Sequence, residues 1–361
     1  MNICLVRRGF SRTGGAESYL RRLGRTFADR GHRTTLYSTQ DWPQADWPYG
    51  KLIRLKASTP MRFARILQES LRSDEVVFSL DRVLKCDCYR AGDGIHKIWL
   101  ERRAQSEPAW QAWFHFLNRK HREILELERA LLQDGGAKQV IANSHLIKKE
   151  IVSEFSYRED KITVIYNGLP DADFKRKPGT RADLRRDWGL RENEIAILFA
   201  GSGWSRKGLR YLMQAVRQIK NRSLLLLVAG LGKKPVLSSP KLRFLGPVID
   251  MPSLYAAADL FVLPTLYDPF SNACLEALSF GVPVITTRTN GFSEIIESGV
   301  HGQVISRGND VAALQQAIES WMEPDRRTRA TQPCIDLART YSMERNVEQT
   351  LGVLERLQTE P

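Results

Sequence analysis

The run Ile195-Ala-Ile-Leu-Phe-Ala200, the loop Gly201-Ser-Gly-Trp-Ser-Arg-Lys-Gly208 and the segment Leu209–Lys220 decide how this chain is read. Six uncharged, mostly large apolar residues in succession suit a strand covered on both faces, as in a parallel sheet. A glycine-rich loop then leads into a helical segment. Downstream, Leu224–Ala229 and Leu242–Leu245 read as strands, a helix near Ser253–Ala258 precedes strand Leu260–Pro264, and helix Asn272–Phe280 precedes strand Pro283–Thr287. Val304–Ser306 and helix Val311–Met322 close the series. Strands alternating with helices predict a doubly wound parallel α/β sheet.

Upstream the plan repeats. Ile3-Cys4-Leu5-Val6, a glycine-containing loop, a helical pattern over Glu17–Arg30 ending at Gly31, and Thr34–Tyr37 form a strand–helix–strand unit. Short apolar runs follow at Glu75–Leu80, Gln139–Ala142 and Ile162–Ile165, and residues 98–133 read as one long helical stretch. The join between the halves falls in the Gly-, Pro-, Asp- and Lys-rich segment Asn167–Lys177. The predicted division is therefore 1–168, 169–342 and a terminal helical piece, 343–361, packing on either half. Two Rossmann-like domains would turn the carboxyl ends of their strands toward a shared cleft, where open parallel sheets bind ligands.

Composition agrees. The 361 residues are 42% hydrophobic and 26% charged, which excludes a disordered chain, a collagen or a coiled coil. No run of about 18 uncharged apolar residues occurs, so no membrane-spanning helix is expected. The apolar run before Arg7-Arg8 is too short for a signal peptide, and a cytoplasmic location is expected. Five scattered cysteines argue against a disulfide framework, and Cys86-Asp-Cys88 without a second cluster does not predict a metal site. The net charge is +13, and residues 1–170, with 29 Lys and Arg against 20 Asp and Glu, carry most of it. Such a charge suits phosphorylated ligands, an anionic membrane or nucleic acid. No nucleic-acid-binding motif is visible, and a nucleic-acid partner is not expected.

The G-x-G-x-x-G and Walker patterns are absent: Arg206 stands where the third glycine would be. From spacing alone, Arg206-Lys207 reads equally as a diphosphate clamp and as a solvated basic turn. A second constellation is Asp268-Pro-Phe-Ser-Asn-Ala-Cys-Leu-Glu276. Amides near Ser271–Cys274 would point outward at a helix N-terminus and form an anion site. Asp268 would accept bonds from hydroxyls in the cleft, or cap the helix. Glu276 would chelate a diol, or lie idle on the surface.

Arg206-Lys207-Gly208, Asp268-x7-Glu276-Ala277 and Gly281-Val-Pro-Val284 together resemble the retaining glycosyltransferases of family 4, which have the GT-B fold. Gly14-Gly15-Ala16-Glu17, Ile141-Ala-Asn-Ser144 and Val164-Ile-Tyr-Asn-Gly168 extend the resemblance over nearly the whole chain. Where the family has Glu, this chain has Asp268. The resemblance implies a metal-independent hexosyltransferase with no cofactor besides a nucleotide-diphosphate sugar, UDP-glucose first. Arg206 and Lys207 would neutralise the diphosphate, and Glu276 would bind the ribose. Asp268 with Pro269, Phe270, Ser271, Asn272 and Ala273 would hold the donor sugar and phosphate. Gly14, Gly15 and Glu17 would approach the donor, and the base would lie near Leu245–Val248. Asp171-Ala-Asp173 mimics the metal motif of a different transferase fold and reads as coincidence.

The segment Cys88–His96 with Trp99–Arg103 is similar to the acceptor side of bacterial lipopolysaccharide core glucosyltransferases. That similarity implies a heptose of the inner core as acceptor, with Asp93 and then His96 as candidates for orienting its hydroxyl or taking its proton. Alternatives are transfer of heptose, mannose or N-acetylglucosamine to a capsule or lipid-linked glycan. Trp99, Trp110, Trp113, Phe114 and Phe116 stand among Arg102, Arg103, Arg119, Lys120 and Arg122. That mixture suits peripheral attachment to the cytoplasmic face of an anionic inner membrane, or a core helix with a solvated face.

Overall fold

The structure is a computed structural model that describes residues 1–11, 15–105, 118–169, 179–233 and 239–359. The chain divides into two units, Met1–Tyr166 with Glu344–Pro361, and Asn167–Met343. Each is a Rossmann-like α/β unit built on one all-parallel sheet.

The first sheet contains β1 (Asn2–Val6), β2 (Arg33–Thr39), β3 (Lys51–Leu55), β4 (Val76–Ser79), β5 (Cys86–Arg90), β6 (Ala137–Ala142) and β7 (Ile162–Val164), in the spatial order β3-β2-β1-β4-β5-β6-β7. The second contains β8 (Ile195–Ala200), β9 (Leu224–Ala229), β10 (Leu242–Gly246), β11 (Leu260–Leu263), β12 (Val284–Thr287) and β13 (Gly302–Ile305), in the order β10-β9-β8-β11-β12-β13. Counted within its own unit, the first runs 3-2-1-4-5-6-7 and the second 3-2-1-4-5-6, and in both the direction of winding reverses between the first strand and the fourth.

The elements follow from their sequences. β9, Leu-Leu-Leu-Leu-Val-Ala, is buried at every position. The Leu209–Gln218 helix buries Leu209, Leu212, Met213 and Val216 on one face, at about 1.5–3 kcal/mol for each large side chain. In the first unit, the Gly15–Asp29 helix buries Tyr19, Leu20, Leu23 and Phe27. The terminal helix Met343–Thr359 reaches that unit through Asn346, whose Nδ2 donates to Tyr166 O at 2.6 Å, and through the Arg30–Glu348 ion pair.

Several elements escape the sequence pattern. β3 and β5 carry charged residues among the apolar ones, and Cys86 and Cys88 lie buried in β5, where burial pushes their thiol pKa values up. The stretch read as one helix over 98–133 contains two, His96–Ala104 and Arg119–Leu132, with residues 106–117 outside the described residues. The Pro324–Arg339 helix was not expected, because it is polar, contains Pro333 and buries only Ala330, Cys334 and Ala338.

Gly208 sets the entry to its helix with φ +75°, and a Cβ there would lie 2.0 Å from Pro264 O. Gly31 has a similar φ of +78° with open space around it. Gly31→Ala is therefore expected to cost about 1 kcal/mol of backbone strain, and Gly208→Ala about 3 kcal/mol or more. Denaturant midpoints measure both; equal losses would show that the contact with Pro264 relaxes freely.

Candidate functional site

Loops at the carboxyl ends of β8 and β11 meet where the winding of the second sheet reverses. The first supplies Arg206 and Lys207, the second Asp268. Lys207 Nζ lies 3.1 Å from Asp268 Oδ2, with side chains only 12% and 7% exposed. Arg206 Nη1 donates to Tyr267 O at 3.1 Å, while Arg206 O accepts from Leu266 N at 2.8 Å, so the two loops are stitched together. Burial opposes the charge on Asp268, but Lys207, Arg206 and the Phe270 amide outweigh it and hold its pKa below the ordinary value. Two cations against one carboxylate leave the pocket with a positive surplus.

The helix Asn272–Ser279 begins beside this pair. Ser271 N donates to Asn290 Oδ1 at 3.2 Å, and Asn290 is itself fixed by Thr286 Oγ1 at 2.9 Å. One turn into the helix, half-buried Glu276 accepts from Tyr255 OH through Oε2 at 2.9 Å. Burial, and then the Glu276 charge, push the Tyr255 pKa far up, so the phenol stays a donor. Farther along the same sheet edge, Gly230 N donates to Gly246 O at 2.7 Å. That bond joins the ends of β9 and β10, from which exposed Leu231 and Ile249 project.

In the first unit, the corresponding reversal lies between β1 and β4. Arg7 directly follows β1. Its Nη2 lies 3.2 Å from Glu17 Oε1, and its Nη1 lies 3.7 Å from Asp81 Oδ2 and 3.8 Å from Asp93 Oδ2. Arg8 N donates to the same Asp81 oxygen at 2.5 Å. His96 opens its helix, with Nε2 3.0 Å from His121 Nδ1. Burial above all, then the charge of Arg82, with His121 and Lys120 adding to it and Asp93 opposing, lowers its pKa to about 3.

The sequence expectations change in four respects. Asp268 is not open to hydroxyls, because its carboxylate is buried and engaged by Lys207. Lys207 is accordingly not the freely exposed cleft lysine that the loop pattern suggests. The Ser271 amide is bonded to Asn290, and Phe270 turns its ring into the core against Phe292, so Pro269, Phe270 and Ser271 are buried and only Asn272 and Ala273 reach the surface at the helix entry. Glu17 is buried against Arg7 rather than presented outward, and His96, with a pKa of about 3, is a poor proton acceptor. Asp93 is exposed, Gly15 opens its helix and Val248 is half-buried just past β10. Gly14, Asp171, Asp173, Trp110, Trp113, Phe114 and Phe116 lie outside the described residues. Sequence reasoning missed Arg7, Asp81, Tyr255 and Asn290. The signal for Arg7 was its place directly after the first apolar run.

Residues 13–173 match the family model described as Glycosyltransferase Family 4, and residues 194–323 match Glycosyl transferases group 1. The chain is a GT-B glycosyltransferase. Among curated glycosyltransferases, it is 24% identical to lipopolysaccharide glucosyltransferase WaaG of Escherichia coli strain K12, over 81% of this chain and 82% of that protein. It is 35% identical to an uncharacterized glycosyltransferase of Methanocaldococcus jannaschii over 178 residues, and spans 46% of that protein's length. Among solved GT-B structures, a crystal structure of WaaG aligns with a TM-score of 0.80 at 21% identity, covering 98% of this chain and 99% of that one. HepE of Anabaena in complex with UDP-glucose aligns at 0.74 and 19% identity over the full length of both chains. No helix among the described residues of this glycosyltransferase is long and apolar enough to cross a membrane.

Breaking the Lys207–Asp268 pair leaves a buried charge. Lys207→Met and Asp268→Asn are each expected to cost about 3 kcal/mol, and the double variant clearly less than their sum. Additive losses in denaturant titrations would show that the pair is not coupled. His96 supplies a pH test. The folded chain keeps it neutral to about pH 3, whereas the unfolded imidazole binds a proton near 6.5. Stability is therefore intact above about pH 6.5 and falls as pH drops below it. His96→Gln is expected to flatten the decline of Tm between about pH 6.5 and 4.5; an unchanged slope would assign the decline to other groups.

Proposed function

We propose that this glycosyltransferase moves a hexose, glucose from UDP-glucose, onto a heptose of a lipopolysaccharide inner core, with retention at the anomeric carbon. The observation that carries the reading is the cationic pocket of Arg206 and Lys207 at the reversal of the second sheet, beside the helix that bears, one turn in, the Tyr255-oriented carboxylate of Glu276. The sequence likeness to WaaG over most of both chains supports the acceptor class, and the fold shared with the HepE complex supports the donor class.

In this reading Arg206 and Lys207 stabilise the charge that grows on the leaving diphosphate. The pairing with Asp268 keeps Lys207 in place before the donor arrives, and those two cations supply the neutralisation without a metal. Glu276 accepts the ribose hydroxyls, held at the correct angle by Tyr255. Exposed Leu231 and Ile249 at the ends of β9 and β10 offer an apolar seat for the base, next to Val248. Asp93 orients the acceptor hydroxyl and receives its proton. Attack proceeds on the face the leaving group departs from, within an ion pair, so the anomeric configuration is kept. The basic surface around Arg102, Arg103, Lys120 and Arg122 presents the chain to an anionic membrane that carries the acceptor.

Calorimetric titration with UDP, UDP-glucose, GDP and ADP, without added metal, tests the donor. UDP and UDP-glucose are expected to bind selectively; preference for GDP or ADP would redirect the function to mannosyl or heptosyl transfer, and no binding would remove the donor assignment. Glu276→Ala is expected to weaken UDP about tenfold, near 1.4 kcal/mol, and Tyr255→Phe by a smaller factor in the same direction. Unchanged affinity in both would place the ribose elsewhere.

A further inference from the structure

We infer that Glu128 is a positioning residue for Asp93; the inference rests on the reading of Asp93 as the group that orients the acceptor hydroxyl. Asp93 stands in the turn Ala91-Gly-Asp-Gly-Ile95 between β5 and the His96–Ala104 helix, with its side chain 59% exposed. A carboxylate flanked by two glycines would ordinarily sample many orientations. Here the turn is tied on both sides. Glu128, only 1% exposed on the Arg119–Leu132 helix, accepts from His96 N at 2.8 Å and Arg82 Nε at 2.8 Å through Oε1, and from Lys97 N at 3.1 Å through Oε2. Arg82, so held, donates from Nη2 to Gly94 O at 2.5 Å. On the other flank, Asn143 Nδ2 donates to Gly92 O at 3.3 Å, and Arg7 faces the Asp93 carboxylate itself.

The helix after the turn has Ile95 at its N-cap, with no side-chain cap of its own. A Ser or Asp there would satisfy the first amides at little cost, whereas a buried carboxylate carries a desolvation penalty of several kcal/mol. Glu128 does what a local cap cannot: one charge grips the amides after Asp93 and, through Arg82, the carbonyl next to it. A reacting group has to be held to within about half an ångström, and this clamp supplies that restraint from a separate helix.

Glu128→Gln keeps the size of the side chain and removes its charge. Residue-resolved amide hydrogen exchange of the full chain is expected to quicken at least about tenfold at His96 and Lys97, and to stay unchanged across residues 195–229. In transfer from UDP-glucose to a heptose-terminated core glycolipid, kcat is expected to fall about tenfold, with the KM for UDP-glucose within about twofold. On an Asp93→Asn background the same change is expected to add less than about a twofold loss, because a residue that works through Asp93 then has nothing to act on. Unchanged exchange at His96 and Lys97, or an undiminished further loss on the Asp93→Asn background, would overturn the role of Glu128. Full transfer by Asp93→Asn alone would instead overturn the reading of Asp93 beneath it. Arg82→Lys, which removes the fork joining Glu128 to Gly94, covers the case in which Glu128→Gln does not fold: the same loss of kcat and the same non-additivity are expected, and undiminished kcat would overturn the clamp.

Discussion

Reversing the strand order of a parallel sheet sends the chain from neighbouring strands toward opposite faces, and the two loops at that junction cannot cover each other. Both units of this chain are built on that constraint. In each, the loop after the first strand brings a cation and the loop after the fourth strand brings a carboxylate: Arg7 with Asp81 at 3.7 Å, and Lys207 with Asp268 at 3.1 Å. Opposite charges at a junction that the fold leaves open reconcile two needs. They satisfy one another in a poorly solvated place, and they keep polar groups where a ligand can enter.

The two junctions are tuned differently. In the second unit Arg206 and Lys207 outnumber Asp268, and the surplus is positive. In the first, Arg7 is surrounded by Glu17, Asp81 and Asp93, and these carboxylates overcome the effect of burial to hold its pKa above the usual arginine value. A positive pocket suits an anionic diphosphate, and carboxylates paired with Arg7 and Arg8 suit hydroxyl groups that must be oriented and deprotonated. The same topology therefore presents complementary chemistry in the two halves of one chain.

Rigidity is supplied from a distance in both. Asn290, beyond β12, holds the Ser271 amide; Tyr255, on another helix, holds Glu276; Glu128 holds the turn that bears Asp93. None of these three belongs to the motif it supports, and each is separated from it by at least one element of secondary structure.

That separation marks what could be read from the chain alone. The α/β alternation of the second half was legible because its strands are apolar runs with period-free burial, Ile195–Ala200 and Leu224–Ala229 above all. The Arg206-Lys207 turn and the Asp268–Glu276 helix entry were legible because their residues are close in sequence. β5 was not, because Asp87 and Arg90 interrupt its apolar pattern, nor was the polar Pro324–Arg339 helix. The sequence by itself determined the fold class, the family resemblance and the residue types at the candidate site. Only the tertiary structure decided that Asp268 and Glu17 are buried against cations, that His96 stays neutral, and that Glu128 reaches the Asp93 turn. Burial and charge pairing depend on which distant segments meet, and a local pattern carries no record of that meeting.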